Sequence, residues 1–182
     1  FHTQTTDKQI VNFVVGGSQK ISNAAEAEIY GVEANTDIII DPHWSARATA
    51  SLQHAEATDY QSQTATGSTD LSGNRLPMAA NVTYGLGLSY AEDRKAKEGW
   101  FAEASVHGSG PYYFNAENTA KQDTFALCDA QIGYQFGNVE VSLWASNIFD
   151  TETYDLVAAS MAGNVAEDGR PRTVGLNVSM KW

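Results

Sequence analysis

The chain is 182 residues long, with 22 acidic against 11 basic side chains and a formal net charge of −11. That balance makes a poor nucleic-acid binder, which needs a cationic footprint for phosphates, and the lone cysteine, Cys128, excludes an internal disulfide framework and a cysteine-based zinc site. No apolar run approaches the roughly 18 residues of a membrane helix; a membrane barrel stays open, because its strands never show such a run.

Period-2 alternation marks strands with two different faces, and it recurs along the chain. A first segment, around 8–15, sets Val11, Phe13 and Val15 on one side. The second, 30–40, sets Tyr30, Val32, Ala34, Ile38 and Ile40 against Gly31, Glu33, Asn35 and Asp37. The third runs Trp44, Ala46, Ala48, Ala50, Leu52 against Ser45, Arg47, Thr49, Ser51 and Gln53. The fourth, 82–90, opposes Val82, Tyr84, Leu86, Leu88 and Tyr90 to Thr83, Gly85, Gly87 and Ser89. Trp100 to Val106, Ala126 to Phe136, Val139 to Ser146 and Thr173 to Trp182 complete the pattern. This predicts eight strands and no helix.

The connections sort by length. Residues 41–43, 92–98 and 137–138 are short; 16–25, 54–80, 108–122 and 149–169 are long and polar. Alternation of tight turns and long loops is the construction of an outer-membrane barrel, with turns on the periplasmic rim and loops outside. The aromatics agree. With the chain's last residue at the periplasmic rim, Trp44, Tyr90, Trp100, Tyr134, Phe136 and Trp182 all lie at periplasmic strand ends on the apolar face. This is the placement of a membrane girdle, where amphipathic rings prefer the headgroup zone. Tyr30, Tyr84 and Phe13 predict a thinner outer girdle. A closed eight-stranded barrel fills its interior with side chains. The inward set here is rich in Gly, Ser, Thr and Asn, which suits a wide lumen, although Arg47, Glu103, Asp129, Glu140 and Lys181 could form an internal charged network. The chain opens FHTQTTDKQIVNFVV without an initiator Met or signal-like region, as a mature N-terminus or a cut inside a larger protein would.

Several stretches then resemble one family, the TonB-dependent outer-membrane receptors. They are Asn23 to Glu33 with its Gly31-Val32-Glu33, and Gly73-Asn74-Arg75-Leu76-Pro77. They continue with Ser142 to Asp150 with its Asn147-Ile148-Phe149-Asp150 exit and Tyr154, and then Gly169-Arg170-Pro171-Arg172-Thr173 before the last alternating strand. The resemblance implies an all-β antiparallel transmembrane barrel. The eight strands of residues 1–182 would be the C-terminal portion of a 22-stranded barrel, without the plug domain and N-terminal strands. It implies uptake of a scarce nutrient, most commonly an iron–siderophore complex, across the outer membrane of a Gram-negative bacterium. The implied partners are outer-membrane lipid and lipopolysaccharide, the siderophore ligand, and a plug and TonB reached through other parts of the protein.

Candidate residues carry competing readings. Trp144 has lumen parity and could stack on a plug or ligand, or simply pack inside near the outer rim. Tyr112, Tyr113, Phe114 and Asn115 sit in a long loop and suit a recognition surface. Arg170 and Arg172 share the outward parity and suit lipopolysaccharide phosphates; a bulge at Pro171 could instead turn one inward, and a rim ion pair is a third reading. The histidines His43, His54 and His107 are scattered, and no loop has an ordered calcium spacing, so neither metal nor cofactor is expected. No nucleophile motif or catalytic carboxylate pair is found, so no enzyme is expected. The alternatives are a complete eight-stranded barrel acting as adhesin or anchor, and a soluble ligand-binding barrel.

Overall fold

The computed structural model describes residues 1–14, 18–64, 67–93, 98–160 and 163–180, with side chains described for all of these except 7–14, 18–25, 63–64, 67, 159–160 and 163–164. The strands are β1 (His2–Val14), β2 (Ser18–Ile39), β3 (Trp44–Asp59), β4 (Gln61–Thr64), β5 (Gly67–Asp70), β6 (Val82–Asp93) and β7 (Glu98–Ser109). They continue with β8 (Tyr112–Tyr113), β9 (Lys121–Gln122), β10 (Phe125–Phe136), β11 (Val139–Ser146), β12 (Tyr154–Ser160), β13 (Gly163–Asp168) and β14 (Thr173–Met180). No helix occurs among the described residues.

Eight strands form one antiparallel meander in the order β1-β2-β3-β6-β7-β10-β11-β14. They are the eight that the alternation predicts. The remaining six form three short hairpins, β4–β5, β8–β9 and β12–β13, inside the three later long loops. All three hairpins therefore leave the same rim of the sheet, the loop rim. The opposite turn rim carries the tight connections, among them Gly137-Asn138, where Gly137 takes φ 55° in the left-handed region that tight hairpins need. Among the described residues the outermost strands β1 and β14 pair only inward, so the sheet is open rather than a closed eight-stranded barrel.

One predicted loop is not a loop. Residues 18–25 belong to β2, paired with β1 from Val14↔Ser18 onward. This stretch lacks an apolar face and so reads as a loop in sequence. A backbone ladder needs only paired N–H and C=O groups. At about 3.3 Å per residue, the 22 residues of β2 far exceed a bilayer core of about 30 Å, so the β1–β2 ribbon continues past any membrane-embedded part.

The burial pattern is inverted relative to a water-soluble sheet. Leu176 is 69% exposed, and Val32, Leu52, Leu86, Leu88, Ile132, Leu143, Val174 and Val178 are exposed with it, whereas Ser142 is 1% exposed. A continuous apolar face of this size is not tolerated in water and is what lipid requires. The packed apolar core lies elsewhere, at the loop rim: Ala27, Ala55, Ala57, Tyr60, Leu71, Leu76 and Ala116.

Candidate functional site

The sheet presents three working surfaces: an aromatic band on the apolar face, a polar lumen wall, and a loop cluster. The band follows from register. Trp44 lies opposite Tyr90 with ring centroids 5.0 Å apart, and Trp100 opposite Tyr134 at 5.2 Å, edge to face. Tyr134 continues to Phe136 at 4.5 Å. Five of the six predicted girdle residues thus form two contiguous aromatic groups along the turn rim, on the apolar face. Trp182 lies outside the described residues, as does the Phe13 side chain of the outer band. Tyr30 and Tyr84 are exposed nearer the loop rim, and Tyr30 packs on His54 at 5.2 Å. From Trp44 to His54, the register partner of Tyr30, β3 climbs about 3.3 Å per residue; at a tilt of about 40° this is about 25 Å of height, the apolar band of a membrane barrel. Just beyond Tyr30 on the same face the surface turns polar, with His2 on Glu28 at 2.8 Å and His54 on Glu56 at 3.0 Å.

The lumen wall is built from the opposite parity. It encloses a concave trough of about 780 Å³ lined by Asp37, Arg47, Glu103, Asp129, Gln131 and Trp144, among others. Arg47 and Asp37 are register partners and form an ion pair at 2.6 Å, exposed on both sides. Gln131 donates to the Ser142 hydroxyl at 2.9 Å. Of the residues expected to form a charged network, Arg47 pairs with Asp37 rather than with another named member, and Asp129 lies 3.8 Å from His107 Nδ1; Lys181 lies outside the described residues. Trp144 faces this trough, as its parity predicts, two residues before the loop-rim end of β11 at Ser146. Its indole lies against the backbone of its partner Gly175, where an added Cβ would collide with three ring atoms. Phe101 covers its partner Gly133 in the same way.

At the loop rim the residues expected to form a recognition surface are tied into a local network. Tyr112, Tyr113, Phe114 and Asn115 are half-buried rather than freely exposed. The Asn115 amide is consumed locally: its Oδ1 accepts from the Thr119 and Ala120 amides, and its Nδ2 donates to Glu117 and to the Thr119 hydroxyl. Phe114 meets Tyr112 edge to face at 5.3 Å. Burial, and then the negative Asp155, push the Tyr112 phenol above its ordinary range. Sequence reasoning missed what ties this loop to its neighbour. Asn118 Nδ2 donates to the Arg75 carbonyl while the Arg75 amide donates to Asn118 Oδ1, Asn74 donates to the Ala116 carbonyl, and the Met78 amide donates to the Tyr113 carbonyl. The Arg75 guanidinium lies 5.9 Å from the Tyr113 ring centre, a cation–π contact. The trace it leaves in the sequence is the residue type alone: Asn118 takes a φ of 57°, a conformation for which Asn is suited.

The Asn147-Ile148-Phe149-Asp150 exit is a pinned turn. Asn147 is 3% exposed with φ 49°. Its amide side chain donates to the Thr151 and Arg170 carbonyls and accepts from the Thr151 amide. Its own backbone N–H, with the Ser146 hydroxyl, is held by Asp129. This turn also decides the arginines. Arg170 and Arg172 precede β14 in irregular backbone, so strand parity does not assign them a face. The Arg172 amide donates to Asp150, and its guanidinium reaches back to the Ile148 carbonyl at 3.5 Å. There is neither a bulge at Pro171 nor a rim ion pair among the described contacts; Pro171 lacks the N–H that a strand start would use, and the ladder begins at Thr173. Among the described residues no group of three or more His, Cys, Asp or Glu is placed to hold a metal.

Comparison with known proteins gives this architecture relatives. Residues 1–148 match the family described as TonB dependent receptor-like, beta-barrel. The pesticin receptor of Yersinia enterocolitica is 32% identical over all of this chain and 26% of its own length, and that of Yersinia pestis is 31% identical over the same shares. The crystal structure of the ferric yersiniabactin uptake receptor FyuA from Yersinia pestis superposes with a TM-score of 0.81 at 26% identity, covering 98% of this chain and 26% of that one. The siderophore receptor PiuA from Acinetobacter baumannii shares the fold, with a TM-score of 0.78 at 20% identity over 100% of this chain and 25% of that one. The chain thus spans about a quarter of the length of the relatives it matches. Its lipid-suited face, polar lumen wall and sorted rims are the features of one barrel architecture, and the chain belongs to the TonB-dependent receptor-like β-barrel family.

Proposed function

We propose that this chain is the C-terminal wall segment of an outer-membrane receptor that imports a ferric siderophore. The reading rests on one observation above others: the open sheet, with an exposed apolar face and a polar face opposite, matches a ferric yersiniabactin uptake receptor across 98% of this chain. On this reading the turn rim faces the periplasm and the loop rim faces outward. The aromatic band holds the wall at the inner membrane interface, and lipopolysaccharide surrounds the polar belt above Tyr30, with Arg170 and Arg172 exposed at that rim. The knit loop cluster of Tyr112, Tyr113 and Phe114 forms part of the outer vestibule, and the trough at Trp144 faces the plug and the passing ligand. Energy coupling through TonB belongs to parts of the protein beyond this wall. The chain binds and conducts; it performs no covalent chemistry.

The test is uptake of radioactive iron supplied as defined ferric siderophores to cells that lack the gene, with and without the full-length receptor. The expected result is uptake restored for one siderophore class and abolished by loss of TonB. Restoration independent of TonB, or of no ferric siderophore at all, overturns the reading.

A further inference from the structure

The lumen wall carries glycines at Gly85, Gly87, Gly133 and Gly175, and each has a longer side chain as its direct cross-strand partner: Thr49, Arg47, Phe101 and Trp144. Two of these partners are aromatic, and both rings lie on the glycine backbone so closely that a Cβ would overlap them. The Gly175 pair is the more consequential. Trp144 lines the trough of about 780 Å³, beside Gln131 and Ala145 and across from Asp37 and Arg47. An indole that could not lie on Gly175 would have to leave its rotamer, because the backbone of β14 is locked to β11 through eight paired positions from Thr173 to Met180. Any other staggered position of the ring takes it off Gly175, and the open space that Trp144 borders is the trough.

We propose that Gly175 is a positioning residue: by leaving its face bare it holds the Trp144 indole flat against the lumen wall and so sets the clearance of the passage. The geometric part stands on the wall alone; the consequence for clearance rests on the transport reading above. The sequence signal is the alternation itself, since Gly175 occupies a lumen position in a strand whose lipid-facing positions are Val174, Leu176 and Val178.

The experiment uses the full-length receptor in outer-membrane vesicles and in cells. The variants are Gly175→Val, Trp144→Ala, the double variant, and Trp144→Phe to isolate the Trp144 fluorescence by difference. Valine is a strong strand former, and a heat-modifiable gel shift reports that each variant is folded. The Trp144 signal should become more accessible to acrylamide in Gly175→Val. Ferric siderophore uptake should fall severalfold while surface binding of the ligand stays at the wild-type level, and the double variant should recover to the rate of Trp144→Ala alone. A merely structural role for Gly175 would leave the double variant as slow as Gly175→Val. Unchanged acrylamide access in folded Gly175→Val overturns the proposal, and so does a double variant that fails to recover. If the wild-type receptor imports no ferric siderophore, the transport reading fails, and acrylamide access still decides where Gly175 holds the ring.

Discussion

The middle of the sheet and the loop cluster obey opposite rules within one chain. At β14 the large apolar side chains Val174, Leu176 and Val178 stand exposed while the glycine of the same strand faces the lumen. At the loop rim Leu71, Leu76 and Tyr60 are buried under short polar hairpins. The difference is the solvent. Around the sheet, hydrocarbon is as apolar as leucine, so burial has nothing to gain; above it, water restores the ordinary hydrophobic drive. A leucine's worth is therefore decided by its height in the molecule.

Substitutions can break or sharpen that contrast. The largest effect is expected at the junction of the two regimes. Asn147→Ala leaves the Thr151 amide and the Thr151 and Arg170 carbonyls without their partner, and it puts alanine at a φ of 49°; the combined cost is about 4 kcal/mol. It should be read as rapid proteolysis within 147–172 while the remaining sheet stays resistant. Next comes a matched pair. Leu176→Arg places a charge on the lipid face at a cost of about 3 kcal/mol, whereas Leu176→Ala should cost less than about 1 kcal/mol because lipid refills the space. Leu76→Ala, in the watery regime, should cost about 2–3 kcal/mol as a cavity. Equal costs for Leu76→Ala and Leu176→Ala in equilibrium unfolding from lipid would sink the two-solvent account.

A smaller effect belongs to the aromatic band. Trp100→Ala removes the edge-to-face contact with Tyr134 and should cost about 1 kcal/mol, visible as a lowered midpoint in a heat-modifiability series. The smallest effect is electrostatic. The Ser72 hydroxyl, and then the Ser72 amide, hold the Asp70 carboxyl below its ordinary range, while the Ser72 hydroxyl oxygen accepts from the Tyr60 amide. A depressed carboxylate stabilises above its unfolded value near 3.9 and loses that contribution as pH falls through the folded one. Amide exchange at Tyr60 and Leu71 should therefore accelerate in that acid window, and Asp70→Asn should remove the pH dependence.

Much of this was legible without coordinates because alternation is a local property. Each strand of the meander declares its own two faces, and five girdle aromatics announced both their side and their height. The readings that differed share one cause. Residues 18–25 looked like a loop because a ladder outside the membrane leaves no apolar signature. Arg170 and Arg172 were given a strand's parity although the ladder starts only at Thr173. The contacts of Tyr113 with Arg75 and Met78 were not legible because those partners lie in another loop.

The sequence by itself therefore determined the strands, their inward and outward faces and the sorting of rims, since each depends on residues two positions apart or on the length of one connection. Tertiary structure alone decided that two loops are knit through Arg75 and Asn118, that Asn147 pins the exit turn, and that Trp144 lies on Gly175. Those outcomes depend on which residues meet across strands and loops; alternation restricts register only to steps of two residues, and across a long connection such as the one between Ser146 and Thr173 no tight turn fixes the rest.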